Sequence, residues 1–202
     1  MPRKKIVFVI VEGPSDDEAL GVIIHRIYDK SVVHVEITHG DITSKSSVTP
    51  GNIAAKIGRV VQEYARSNHY KQNDFQEIIH LIDTDGAYIE KKDVVEDPSA
   101  KKPFYTTTEI RTARPDQIIQ RNKRKSDNIN RICVMTKVWG SILYRAYYMS
   151  ANLDHVLYNK LNSSDEDKEN DSHLQHSILE ITCYGGTFYP SDLSADSSDI
   201  RL

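Results

Sequence analysis

An α/β fold with a mainly parallel sheet is what this sequence predicts, and three features of the chain lead there. Short apolar runs rich in β-branched residues, too brief for helices, recur along the first 140 residues. Between them lie stretches whose apolar residues return at helical spacing. Gly, Pro and Asp punctuate the joins, as expected of strand–turn–helix units with crossover connections.

The first run, Ile6 to Val11, reads as a strand buried on both faces and stops at Glu12-Gly13-Pro14. Ser15 stands three residues before Glu18, the capping-box spacing, and Leu20, Ile23, Ile24 and Ile27 give the helix that follows one apolar face. Val32 to Ile37 is the second strand, and His39 to Thr49 a Ser/Thr-rich loop. Thr49-Pro50 reads as a cap with proline at the first helical position. Ile53, Ile57, Val60, Val61 and Tyr64 define that helix. Ile78 to Ile82 is the third strand, ending at Asp83-Thr84-Asp85-Gly86, and Arg131 to Thr136 is the expected fourth.

The organisation expected is a core over residues 1–140 and a helical extension with an acidic, partly disordered tail over 141–202. Tyr144, Tyr147 and Tyr148 belong to a helix in this reading, serving core packing or a homodimer surface. Asp165, Glu166, Asp167, Glu169 and Asp171 surround a single Lys168, a pattern of a solvated run.

A net charge of −3 means that any polyanion must be met by a local patch. Residues 101–125 supply one: Lys101, Lys102, Arg111, Arg114, Arg121, Lys123, Arg124 and Lys125 face only Glu109 and Asp116. These are the candidate nucleic-acid contacts, with Phe104 and Tyr105 able to stack on unpaired bases. A solvated loop and helix is the competing reading. Two cysteines, Cys133 and Cys183, neither in a CxxC pair, favour a reducing compartment, and no apolar stretch approaches the roughly 20 residues of a membrane span. The opening apolar run is too short for a signal peptide. The expectation is a cytoplasmic protein with no membrane partner.

In open parallel sheets functional groups gather beyond the carboxyl ends of the strands. Two strands here end in acid, the first in Glu12 and the third in Asp83 and Asp85. If the pleat persists, positions 83 and 85 point to the same side. Carboxylates crowded together raise one another's pKa unless a cation compensates, and hard oxygen donors favour Mg²⁺ or Mn²⁺. Asp16, one helical turn beyond Glu12, can join them. Each residue also has a plainer role: Asp16 and Asp17 complement a helix N-terminus, and Glu12 and the Asp83–Gly86 stretch are ordinary turn residues.

Val9 to Leu20 (VIVEGPSDDEAL) and Ile78 to Gly86 (IIHLIDTDG) resemble the two signatures of TOPRIM domains, an apolar strand ending in Glu-Gly and a later one ending in Asp-x-Asp. The form Glu12-Gly13-Pro14-Ser15-Asp16 is similar to that of OLD-family nucleases and their relatives in bacterial anti-phage systems. The resemblance covers roughly residues 5–140, with the signatures in order and about 70 residues apart. It implies a four-stranded Rossmann-like core and Mg²⁺ or Mn²⁺ dependence. It also implies metal acids at Glu12, Asp16, Asp83 and Asp85, with Glu12, Asp83 and Asp85 in catalysis. The lysine that OLD-like nucleases use matches Lys137, which a strand-capping role explains as well. Such proteins often carry or pair with an ABC-type ATPase, and this chain has no GxxxxGKS/T phosphate loop, so that partner would be a separate polypeptide.

The function expected is therefore a metal-dependent endonuclease acting on DNA or RNA, tRNA included, as a toxic effector in anti-phage defence. Two rivals stand beside it. In a HAD-like phosphatase Asp83 would be the nucleophile and Asp85 the general acid, but that motif usually ends the first strand of its fold, and Glu12 would have no role. In a non-catalytic assembly module the acids would hold a structural ion only.

Overall fold

The computed structural model describes residues 4–14, 16, 17, 28, 33–149, 161 and 162. Strand β1 (Lys5–Val11) is buried along almost its whole length, as a run of β-branched residues covered on both faces must be. β2 (Val33–His39) and β3 (Phe75–Asp83) flank it in parallel. Helix α1 (Ile53–Ser67) buries Ile53, Ile57, Gly58, Val61 and Ala65. It starts three residues beyond Pro50, with Asn52 at the N-cap position making no side-chain bond to the helix and accepting instead from the Thr49 amide at 2.9 Å. The helix expected from Ser15 lies mostly outside the described residues, which include only Pro14, Asp16 and Asp17 of its first turn, all helical.

Two sequence expectations are overturned. Arg131 to Thr136 is not a strand: Arg131 to Cys133 closes helix α2 (Pro115–Cys133), whose buried residues Ile118, Asn122, Lys125, Ile129 and Ile132 recur at alternating spacings of four and three. That stripe runs unbroken to residue 132, so the helical period governs a run that looked β-like in isolation. The fourth parallel strand is β8 (Ile142–Met149), where a helix was expected. Tyr144, Tyr147 and Tyr148 carry a helical spacing, yet Ile142, Tyr144, Ala146 and Tyr148 alternate onto one core face, and period two prevails. The residues after 149, apart from 161 and 162, lie outside the described set. So do Asp154, His155, Cys183 and the acidic run.

The main sheet is ordered β2-β1-β3-β8-β7, all parallel except the short edge strand β7 (Lys137–Val138). Both described helices pack on one face, over Ile6, Phe8, Ile10, Ile78 and Ile82. Val7, Val9, Val11, Val33 and Val35 form the opposite face. Each fully buried side chain of this kind contributes about 1.5–3 kcal/mol, an upper figure, so the strand ends are firmly held. A second, three-stranded sheet joins β4 (Val94–Glu96), β6 (Ile110–Thr112) and β5 (Phe104–Tyr105) in the order β4-β6-β5. Its inner side packs Val94 and Ile110 against Ile118 of α2.

After β3 the chain turns sharply, with Asp85 at φ 47° and Gly86 at φ 68°, both left-handed. A Cβ at Gly86 would approach Ile110 Cδ1 to 2.9 Å. Gly86→Ala therefore meets both backbone strain and a clash. It is expected to cost about 1–3 kcal/mol, measurable as a lower urea midpoint at unchanged m-value.

Candidate functional site

The strand order changes direction at β1: β2 lies on one side of it and β3 on the other. In parallel sheets such a reversal opens a crevice at the carboxyl edge, between the two strands concerned. Glu12 follows directly from β1 and Asp83 is the last residue of β3, so both stand at that edge. Asp41, two residues beyond β2, approaches from the same edge.

Lys125 organises these acids. It projects from α2 with none of its side chain exposed, and its Nζ donates to Glu12 Oε2 at 3.1 Å and Asp85 Oδ2 at 2.5 Å. Burial disfavours this ammonium, but the carboxylates of Glu12, Asp85 and Asp41 outweigh it and leave the pKa raised. Asp41 shows the converse: burial works against its charge, yet Lys125, the hydroxyls of Ser44 and Thr43 and the Ser44 amide hold its carboxyl below the usual range.

One ammonium cannot neutralise every acid present. Burial pushes Glu12 up to about 8, with Asp41 and Asp85 adding to the effect and Lys125 opposing it. Burial pushes Asp83 up to about 9, reinforced by Glu12, Asp16 and Asp85. The short contact to Lys125 and the raised pKa of Glu12 pull in opposite directions. Desolvation prevails because the ammonium is shared, and its shorter contact is to Asp85. Glu12 Oε1 and Asp83 Oδ1 are both buried and find no hydrogen-bond partner among the described residues.

Asp16 takes the plainer role foreseen for it, at the helix start, and lies near enough to Asp83 to act on it. Its Oδ2 accepts from the Gly13 amide at 2.8 Å, capping the helical turn, and its buried carboxylate raises the pKa of Asp83. Asp83 and Asp85 do not share one pleated face, because the strand ends at Asp83 and the left-handed turn carries Asp85 to Lys125.

Lys137 is not brought to these acids. It pairs with Leu143, which pairs with Glu77, six residues before Asp83 and so about 20 Å away along the strand. The basic stretch divides. Lys101, Lys102, Arg111, Arg114 and Lys123 are exposed, with Arg111 paired to Glu109 and Lys123 to Asp127. Arg121, Arg124 and Lys125 turn inward instead: Arg124 donates to Ser44 O at 2.8 Å, and Arg121 to Asp85 O at 2.8 Å. The helical stripe that buries Lys125 was the signal for this, and reading the stretch by charge alone hid it. His80 is buried against the Tyr144 hydroxyl at 2.8 Å, and burial drives its pKa down to about 3, so it is a neutral core residue.

Among the described residues no three His, Cys, Asp or Glu side chains are closed tightly enough to hold a metal ion. The donor chemistry nevertheless suits a hard divalent cation: the groups are carboxylates, and two of their buried oxygens lack partners. No protein-family model matches the chain, and no curated protein or solved structure matches it either.

The raised acids carry a stability signature. Glu12 and Asp83 hold their protons more tightly folded than unfolded. Their contribution is therefore fully present below the ordinary values of 4.5 and 3.8, and is lost as pH rises through about 8 and 9. In EDTA, the unfolding free energy of the native chain should fall between pH 6 and 9. Asp83→Asn should flatten that slope and be the more stable at pH 9, by about 1–3 kcal/mol. Urea titrations at several pH values check this, and parallel pH profiles for the two proteins would refute it.

Proposed function

We propose that this chain is a TOPRIM-type nuclease, similar to the OLD family, that cleaves nucleic-acid phosphodiester bonds with Mg²⁺ or Mn²⁺. One observation carries the reading. Glu12 and Asp83, from neighbouring parallel strands at the point where strand order reverses, each present a buried carboxylate oxygen without a partner among the described residues. With one ammonium, Lys125, shared among Glu12, Asp85 and Asp41, the cluster is under-neutralised, which is costly to a fold, and a divalent cation would relieve it.

Glu12, Asp16, Asp83 and Asp85 would hold the ion, which would supply Lewis-acid stabilisation of charge on the scissile phosphate. The chain's own groups supply the rest. Burial raises the pKa of the Glu12 carboxyl in the metal-free chain, and a bound cation would favour its ionised, ligating form. Lys125 keeps a fixed positive charge between Glu12 and Asp85 and takes the role expected of Lys137. The exposed Lys101, Lys102, Arg111, Arg114 and Lys123 are suited to meet phosphates by sequence-independent attraction. In this reading the substrate is DNA or RNA, tRNA included. The setting is cytoplasmic anti-phage defence with a separate ABC-type ATPase, as the resemblance implies.

Incubation with DNA and with RNA in Mg²⁺ or Mn²⁺, with and without an ATPase partner, tests the proposal. Strand cleavage should fall by about 10²–10⁴ in Glu12→Ala and comparably in Asp83→Ala, while Lys137→Ala should stay within about threefold of the native rate. Phosphate release from a chromogenic monoester that survives Glu12→Ala would instead establish the phosphatase chemistry. Metal binding without cleavage under any of these conditions would leave an assembly module.

A further inference from the structure

We infer that Arg121 and Asn122 are positioning residues that set the Asp85 carboxylate. This inference rests on the nuclease reading for its purpose but on the geometry for its substance. Asp85 sits outside the strand in a left-handed conformation that side chains other than glycine adopt uncommonly, Asp and Asn more readily than most.

The hold on this turn comes from two consecutive residues of α2. Arg121 Nη2 donates to Asp85 O at 2.8 Å, and Asn122 Nδ2 donates to Gly86 O at 3.0 Å. The two side chains also fix each other, since Arg121 Nε and Nη2 both donate to Asn122 Oδ1, at 3.1 and 2.8 Å. Tyr105, on β5, accepts from Arg121 Nη2 at 2.9 Å. Asn122 is 4% exposed, so its bonds are shielded from competing water. Three residues further along the helix, Lys125 takes the Asp85 carboxylate itself. One helix thus grips the turn by its backbone and its carboxylate together. The bonds of both side chains to the turn end on its backbone carbonyls, so their hold on the site runs through Asp85.

The experiment uses the full chain and two readouts. The first is metal-free: Ala87, whose amide donates to Thr84 O at 2.8 Å, reports closure of the turn by hydrogen exchange. Arg121→Ala and Asn122→Ala should each speed exchange at Ala87 by tenfold or more while Ile78 in β3 stays protected. Unchanged Ala87 exchange overturns the inference, and Tyr105→Phe supplies a milder variant should the others fold poorly. The second readout is Mn²⁺ affinity, which Arg121→Ala should weaken about 10–100-fold. That loss should vanish in an Asp85→Asn background and persist in Asp83→Asn. An equal loss in both backgrounds shows that Arg121 does not act through Asp85. Should the native chain bind no Mn²⁺ at all, the nuclease reading falls, while the exchange result still decides the clamp.

Discussion

The arrangement hangs on one buried ammonium. Lys125, wholly enclosed, bridges Glu12 from the end of β1 and Asp85 from the turn after β3. A lysine placed there without acids would be expelled or deprotonated, and the acids without the lysine would repel one another or take up protons. Each makes the other tenable, but the charges do not balance. Glu12 and Asp83 are left with buried oxygens that nothing in the described chain satisfies and with pKa values far above the ordinary. Folds commonly accept such a deficit where a ligand makes it good.

Topology explains why these particular residues meet. Parallel strands place all their carboxyl ends on one edge, and the order β2-β1-β3 puts the reversal between the two acid-bearing strands. Helix α2 crosses the same edge with a buried stripe that is polar at its centre. Asn122 and Lys125 face the site, and Asn128 donates to the carbonyls of Thr43 and Val48 in the loop that carries Asp41. The apolar members of that stripe, Ile118, Ile129 and Ile132, hold the helix in place at both ends. Packing at the flanks thus supports a polar cluster in the middle.

How much of this was legible beforehand differs from one residue to the next. β1, β2, β3 and α1 follow from local apolar pattern, and the acids at 12, 16, 83 and 85 follow from what ends those strands. The mistakes share a cause. Read by charge, residues 101–125 form one basic patch, which hides the spacing of Ile118, Asn122, Lys125, Ile129 and Ile132 and counts a buried lysine with surface ones. Helix α2, cut at 131, yielded a false strand, and the tyrosines of β8 mimicked a helix. Lys137 looked plausible only because that false strand seemed to lead into it. Asp41 and Arg121 were beyond reach, since their partners lie 80 or so and 36 residues away and no local pattern announces them.

The most direct measurement is an anomalous-scattering map from crystals soaked in Mn²⁺. A manganese peak ligated by both Glu12 and Asp83 is the predicted result, with the orphaned oxygens of the metal-free protein among its ligands. Crystals that diffract well yet show no manganese at this edge, with the two carboxyl groups turned apart, would contradict the account.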